Sequence, residues 1–469
     1  MDMSEEFNRY VAHLSGGLGH ADRHAGLSGY CTGLMLPLSR KSVEPMAARV
    51  DPLHASARHQ AMHHFVAKSE WSDATVMARV RAWVQPLLGI DSGCYWIVDD
   101  TGFPKKGKHS VGVTRQYCGQ LGKQDNCQVA VSLSLASAQG SIPIAYQLYL
   151  PKDWAADPER RKSAGVPEDV AFASKPEIAL GQIRQGVAAG VRRGVVLADA
   201  GYGDETAFRD GITELGMPYC VGIRPATTVW APGTEPLPPK AWSGRGAKPT
   251  RLRREPGHEP VAVKALAMTL QEQAWCSVTW REGSNSELCS RFAAVRVRPA
   301  HRDNWGTRMR PHEWLLIEWP EGESEPTKYF LSTAPNEATL EQLVFVTKMR
   351  WRIERDYQDL KQEFGLGHYE GRGWRGFHHH ATLSMAAYGF LMAQRLKSGG
   401  TDSDKKNFAQ QPMPAVPQDY VPRGSPARTA SRTGFNHDAA PAPERRTRKH
   451  IGSLPTLQLD KSKTKFMTQ

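Results

Sequence analysis

Over the first 90 residues, apolar positions recur at helical spacing inside otherwise polar segments, as in "PLHASARHQAMHHFVAKSEW" and "DATVMARVRAWVQPLL". The pattern predicts a helical N-terminal region over residues 1–90, with His63 and His64 on a helix surface. From Cys94 the period changes. "CYWIVDD" is a short apolar run ending in two carboxylates, and "HSVGVTRQYCGQ" and "CQVAVSLSLAS" alternate with a period of two about the turn-like "LGKQDN". "SIPIAYQLYLP" predicts another strand. Ser174 with Glu177 three residues on is a capping box, opening a helix that runs to Val191. "GVVLADAGYGD" is a buried strand ending in Asp199, followed by the helical "ETAFRDGITELG" and the strand "MPYCVGI".

Three strands followed by helix–strand–helix–strand indicate an α/β layer with a mixed sheet, which we place at residues 91–224. Residues 225–336 have a different character. A Pro, Gly and basic stretch, "PATTVWAPGTEPLPPKAWSGRGAKPTRLRRE", precedes the strand-like "AWCSVTW", "RFAAVRVRP", "EWLLIEWP" and "KYFLSTAP". This predicts a β-rich insertion rather than a continuation of the sheet. Residues 337–396 return to helix. In "KMRWRIERDYQDLKQEFGLGHYEGRGW", Ile353, Tyr357, Leu360 and Phe364 form an apolar stripe beside a charged stripe of Arg350, Glu354 and Lys361. Glu354 lies about 40° round the helix from Arg350, with Lys361 between them. "FHHHATLSMAAYGFLMAQRL" predicts an apolar helix behind it. Residues 397–469, rich in Pro, Ser, Ala, Lys and Arg, predict a disordered basic tail.

The length of 469 residues allows two or three domains, each with its own core. No apolar run reaches about 18 residues, so no membrane span is expected. The acidic start "MDMSEEFNRYVAHL" has no apolar h-region, which argues against secretion. Seven cysteines without a C-x-x-C pair make neither a disulfide framework nor a zinc site, and suit a reducing cytoplasm. The formal charge of +12 points to a polyanionic partner, with nucleic acid the default.

Three carboxylates from distant segments, Asp100, Asp199 and Glu354, are candidates to meet at one sheet edge, where α/β sites gather. Such oxygens suit Mg²⁺, which binds through a few carboxylates and substrate phosphates. Two ions about 3.5–4 Å apart activate a nucleophile and stabilise a leaving oxygen at a phosphodiester. Arg350 and Lys361, one to two turns from Glu354, would meet phosphates, as would the Lys105–Lys106–Lys108 cluster and "RGAKPTRLRR". Asp99 competes with Asp100 from the opposite face of the strand. Glu363 competes with Glu354, but sits among Asp356 and Asp359 on an acidic face read as solvated. Plainer readings exist for each: Asp199 as a helix cap, His378–His380 as packing, the tryptophans as core. Trp305 is the candidate for stacking on an unpaired base.

"DDTGFPKKGKHSVGVTRQYCG", "KPEIALGQ" with "GVVLADAGYGD", and "RWRIERDYQDLKQEFGLGHYEGRGWRGFHHHATL" occur in this order. On these motifs the chain resembles a bacterial insertion-sequence transposase of the DDE class over most of residues 20–396. The resemblance implies a ribonuclease H-like fold with a β-rich insertion before the last acidic helix. A subgroup carries a Tyr–Arg–Glu–Lys signature whose spacing Arg350, Glu354 and Lys361 fit, with Thr347 at the tyrosine position. The family pattern puts the acid directly before Thr, which selects Asp100. By this resemblance, Asp100, Asp199 and Glu354 hold two Mg²⁺ ions (or Mn²⁺) and the protein cuts at terminal inverted repeats and joins the 3′-OH to target DNA. It would act as a homodimer on paired ends in the bacterial cytoplasm, associated with the nucleoid, and residues 1–90 are left by elimination to read the ends. A ribonuclease H-like nuclease without strand transfer would give hydrolysis products alone. A domesticated DNA-binding protein would tolerate Asp199→Ala, and a phosphotransferase with an aspartyl nucleophile at "DDTG" would leave an alkali-labile phosphoprotein.

Overall fold

The computed structural model describes residues 2–282, 287–301, 303 and 306–399. The segment expected to form the basic tail lies outside them from residue 400 onward, as does Trp305. Five helices open the chain: α1 (Met3–Ser15), α2 (Arg23–Met35), α3 (Val43–Val50), α4 (Ala55–Ala67) and α5 (Asp73–Val84). Strands β1 (Tyr95–Pro104), β2 (Thr114–Cys118), β3 (Lys123–Ala136) and β4 (Ser141–Leu148) follow. Two short helices, α6 (Lys152–Ala155) and α7 (Pro158–Ala164), lead to α8 (Lys175–Ala188), where the Ser174–Glu177 capping box is formed. Then come β5 (Val195–Ala198), α9 (Ala200–Gly203), α10 (Thr206–Glu214) and β6 (Tyr219–Ile223). The next segment supplies β7 (Thr228–Trp230), β8 (Val261–Ala262), α11 (Val263–Met268), β9 (Cys276–Glu282), β10 (Glu287–Pro299), β11 (Glu313–Trp319) and β12 (Lys328–Ser332). Helices α12 (Leu340–Lys348), α13 (Trp351–Gln362) and α14 (Trp374–Lys397) end the described chain.

The strands form one mixed sheet in the order β2-β3-β1-β5-β6-β12-β11-β10-β7-β8, with β4 on β3 and β9 on β10. Only the β1–β5 and β5–β6 pairs are parallel among those described. Two expectations need correction here. Strand β1 does not stop at its carboxylates: the long β3 pairs with it from Tyr95 to Pro104, so Asp99 and Asp100 sit in mid-strand. Nor is residues 225–336 a separate β unit. Strand β12 pairs antiparallel with β6, Tyr329–Ser332 against Cys220–Ile223, and so carries the sheet onward. A short buried strand such as β6 would otherwise leave an open edge of backbone donors and acceptors.

Alternate residues of β1 serve different layers. Trp96 and Val98 belong to the main core with Ile178 and Ile183 of α8. Tyr95 and Ile97 pack with Leu197, Ile353 and Tyr357 beneath α13. The apolar stripe predicted for this helix is buried: Ile353, Leu360 and Phe364 are each removed from water, worth about 1.5–3 kcal/mol apiece. On its acidic face, expected to be solvated, Glu363 is exposed but Asp356 and Asp359 are buried. Asp356 accepts hydrogen bonds from Ser134 Oγ (3.0 Å), Ser141 Oγ (2.6 Å) and Tyr388 Oη (2.8 Å), tying α13 to β3, β4 and α14. Asp359 pairs with Arg355 (3.3 Å) and Arg395 (3.1 Å). Apart from Arg355, an i,i+4 neighbour on α13, these partners are far away in sequence or on another element, so a helical wheel does not reveal them.

The N-terminal helices share the main core with α14. Tyr10 Oη donates to the Ala386 carbonyl (2.8 Å), and the His379 ring stacks on Trp71 at 3.6 Å between centroids. His380 is fully buried, its Nε2 2.9 Å from the Gly365 carbonyl and its Nδ1 2.9 Å from Tyr30 Oη. The histidine triplet is packing, as its apolar setting suggested, and His63 and His64 are exposed. No helix among the described residues is long and apolar enough to cross a membrane.

Burial lowers the His380 pKa from 6.5 to about 4. Between those values the unfolded chain binds the extra proton, so stability should fall as pH drops from 6.5 towards 4. A series of thermal melts across this window should show a shallower fall for His380→Gln, and parallel slopes would refute the assignment. Asp356→Ala removes three hydrogen bonds to a carboxylate, each worth about 1.5–3 kcal/mol. Urea unfolding should report a loss of at least about 3 kcal/mol.

Candidate active site

The parallel register of β1 and β5 aligns Ile97 with Leu197, both under α13. Two residues further along each strand stand Asp99 and Asp199, in the same phase of the pleat. Asp199 lies just past the end of β5 with extended backbone angles, and its Oδ1 accepts from the Gly201 amide at 2.9 Å. The cap reading of Asp199 is therefore met by its geometry, at the mouth of the sheet. Helix α9 comes so near β6 that a Cβ on Gly203 would collide with the Gly222 carbonyl. Glycine there lets the turn carrying Asp199 lie flat on the sheet.

Arg350 stands between α12 and α13 and reaches back across β1. Its Nη1 donates to Asp99 Oδ2 at 2.8 Å, and its Nη2 donates to Glu354 Oε1 at 2.7 Å. Burial disfavours its charge, yet Asp99, Glu354 and Asp199 together hold its pKa above the usual arginine value. Two acids, from β1 and α13, therefore share one guanidinium, and Asp199 at the end of β5 is near enough to act on its charge. Burial pushes the Asp99 carboxyl up to about 7 against the opposing pull of Arg350, and the Asp199 carboxylate adds to the rise. Tyr357 Oη contacts both Ser132 Oγ (2.7 Å) and the Asp99 carbonyl (3.2 Å), which fixes α13 over this part of β1.

Asp100, the acid expected to be the first ligand, points to the other face. Its Oδ2 meets Lys175 Nζ at 2.9 Å and Tyr202 Oη at 3.2 Å, on α8 and α9. The structure thus joins Glu354 to Asp99 through Arg350 and sets Asp199 near them, with Asp100 beyond the plane of the sheet. The period-two alternation separates Asp99 from Asp100, but which face α13 covers is a tertiary matter. Lys361 Nζ donates to the Gly102 carbonyl at 3.1 Å and lies over Phe103, one turn or more from Glu354 along the strand. Lys105 donates to the Tyr369 carbonyl at 2.9 Å, while Lys106 is exposed. Thr347, at the signature's tyrosine position, is buried and bonds back to the Leu343 carbonyl at 2.7 Å.

A cleft of about 480 Å³ opens beside these acids, its walls including Asp199, Arg350 and Glu354. Sequence reasoning missed its other wall, which comes from residues 225–336. Trp280 from that segment and Trp351 from α13 line the cleft, with Lys348 4.0 Å from the Trp280 ring centre and Arg281 4.2 Å from that of Trp351. Glu318, nearly inaccessible, pairs with Lys348 at 2.7 Å on the same wall. Aromatic faces beside cations suit the stacked bases and phosphates of an unpaired nucleic-acid strand. The Trp-rich strands carried the signal, although their pairing onto β6 is what brings them here.

Among the described residues, no group of three or more His, Cys, Asp and Glu is drawn together tightly enough to hold a metal ion. In kind, the oxygen donors Asp99, Asp199 and Glu354 fit a hard divalent cation. Arg350 bridges two of them, Asp99 and Glu354.

Comparison with known proteins bears on this geometry. One relative, described as a probable transposase for insertion sequence element IS701 from Microchaete diplosiphon, is 32% identical over 194 residues. The alignment covers 41% of this chain and 47% of the relative, so it spans about half of that protein's length. The family described as DDE superfamily endonuclease matches residues 13–287, more than half of the chain, and includes the strands that carry Asp99, Asp100 and Asp199. This chain is a member of the DDE superfamily endonuclease family.

Proposed function

We propose that the protein is an insertion-sequence transposase, which cleaves phosphodiesters at the element's ends and joins the exposed 3′-OH to target DNA. The placing of Asp199 and Glu354 on one cleft, with Asp99 joined to them through Arg350, carries this reading. The likeness to the IS701 protein supports it. The parallel β1–β5–β6 set, with α8 on one face and α13 on the other, supports a ribonuclease H-like core.

We assign the metal-binding role to Asp99, Asp199 and Glu354, with Mg²⁺ as the ion. Asp100, selected by the family pattern, instead positions β1 through Lys175 and Tyr202. Two divalent ions bound by these acids would supply Lewis-acid activation of the attacking oxygen and stabilise the leaving one. The chain's own groups do the rest. Arg350 and Arg281 offer guanidinium forks to phosphates of the scissile strand, a geometry that matches phosphate oxygens two at a time. Trp280 and Trp351 receive an unpaired nucleotide, and Lys348 balances its phosphate. Lys361, held on the β1 backbone, and the exposed Lys106 extend the cationic track, with Lys105 behind them. Sequence recognition of the terminal repeat falls to residues 1–90, which dock on α14 and contribute nothing to the cleft wall. Pairing two ends calls for a homodimer on DNA.

End-containing duplex, target plasmid and Mg²⁺ should together yield joined products with the purified chain. Hydrolysis without joining would instead mark a nuclease. Asp99→Asn, Asp199→Asn and Glu354→Gln should each lower the rate by at least on the order of 10²–10³-fold, the scale of losing one preorganised electrostatic group. Asp100→Asn should cost only about 10–100-fold, as for a group that orients a ligand. The reverse ranking of Asp99 and Asp100 would return the ligand role to Asp100. Affinity for the duplex should fall steeply between about 50 and 200 mM salt, as expected for about 6–10 phosphate contacts.

A further inference from the structure

A single guanidinium stands among the acids that a divalent ion would need. Arg350 spends one arm on Asp99 Oδ2 and the other on Glu354 Oε1, at 2.8 and 2.7 Å. Asp99 gives its second oxygen to the Asp100 amide at 2.8 Å, and Asp199 gives Oδ1 to the Gly201 amide at 2.9 Å. The acids are therefore bonded to groups other than a metal. The donors are right in kind, and the protein's own cation has the central place.

We propose that Arg350 is an internal counter-ion that keeps the acids closed to divalent metal until a DNA phosphate draws the guanidinium away. This rests on reading Asp99, Asp199 and Glu354 as the metal-binding acids. The exchange is chemically balanced. A guanidinium fork accommodates phosphate as well as carboxylate, so Arg350 gives up two carboxylate bonds and gains phosphate bonds of the same type. The side chain is 28% exposed and lines the cleft, so a phosphate entering there can reach it. Once it turns, Asp99 loses its cation in a poorly solvated place and the more exposed Glu354 loses a bonded partner, an unfavourable state that a divalent ion relieves. Metal and DNA then help one another to bind by the same factor, because such coupling is reciprocal. Without DNA the acids stay neutralised, and stray hydrolysis by a loaded enzyme is avoided.

The test is Mn²⁺ binding to the full chain, read by the electron paramagnetic resonance of the free ion, with no DNA present. Arg350→Lys keeps the charge but has no second arm to bridge two carboxylates. The counter-ion role predicts that Arg350→Lys binds Mn²⁺ about 5- to 150-fold more tightly than the unaltered chain, the usual range for coupled sites. Adding end duplex should raise the affinity of the unaltered chain by a similar factor and change that of Arg350→Lys little. If Arg350→Lys matches the unaltered chain and only Arg350→Ala binds more tightly, charge alone is at work and the proposal is overturned. If neither variant gains affinity while Asp199→Ala loses it, the proposal is overturned but the metal-binding role of the acids stands. If Asp199→Ala binds Mn²⁺ as well as the unaltered chain, the reading of the acids falls, and the counter-ion role with it.

Discussion

The pleat of β1 is the constraint from which the site follows. Side chains alternate faces along a strand, and the parallel pairing of β1 with β5 fixes which alternation β5 shares. With Ile97 opposite Leu197 and both under α13, Asp99 and Asp199 come out on the helix side of the sheet. Asp100 comes out on the side of α8. A register slip of one residue would exchange the two neighbouring aspartates and put Asp100 beside Arg350.

The helix that supplies Glu354 is held by buried polar bonds as much as by its apolar stripe. Asp356 gathers hydroxyls from β3, β4 and α14, and Tyr357 reaches the β1 backbone, so the turn bearing Arg350 and Glu354 has little freedom to drift. Rigidity of this sort concentrates negative charge. Bringing three carboxylates together in a partly desolvated place is unfavourable unless a cation offsets it, and in this state the cation is a side chain. Packing sets where the acids stand, and electrostatics then decides what must stand among them.

The continuation of the sheet through β12 gives the site its second wall. Because β12 lies on β6, the strands of residues 225–336 turn Trp280 and Phe330 towards Glu354 and Asp199. The acids thus open onto a cleft with aromatic faces and cations rather than onto bare solvent. A stretch that reads as an insertion supplies, in space, about half of the cleft lining.

Much of this was legible in the order of residues alone. Local signals placed the N-terminal helices, the Ser174–Glu177 capping box, the strands from β1 to β6 and the buried stripe of α13, because each depends on periodicity or on contacts a few residues apart. The motifs around Asp99–Asp100, Asp199 and Glu354 likewise pointed to the DDE class, and the family match over residues 13–287 bears out that family. Whether Asp99 or Asp100 faces α13, whether Asp356 and Asp359 meet water, and whether residues 225–336 join the sheet were decided only by the tertiary structure. Each depends on partners more than 30 residues away: Arg350 for Asp99, Ser134 and Ser141 for Asp356, Arg395 for Asp359, and β6 for β12. Periodicity says that two neighbours on a strand face opposite ways, but only long-range packing says which of them meets the helix.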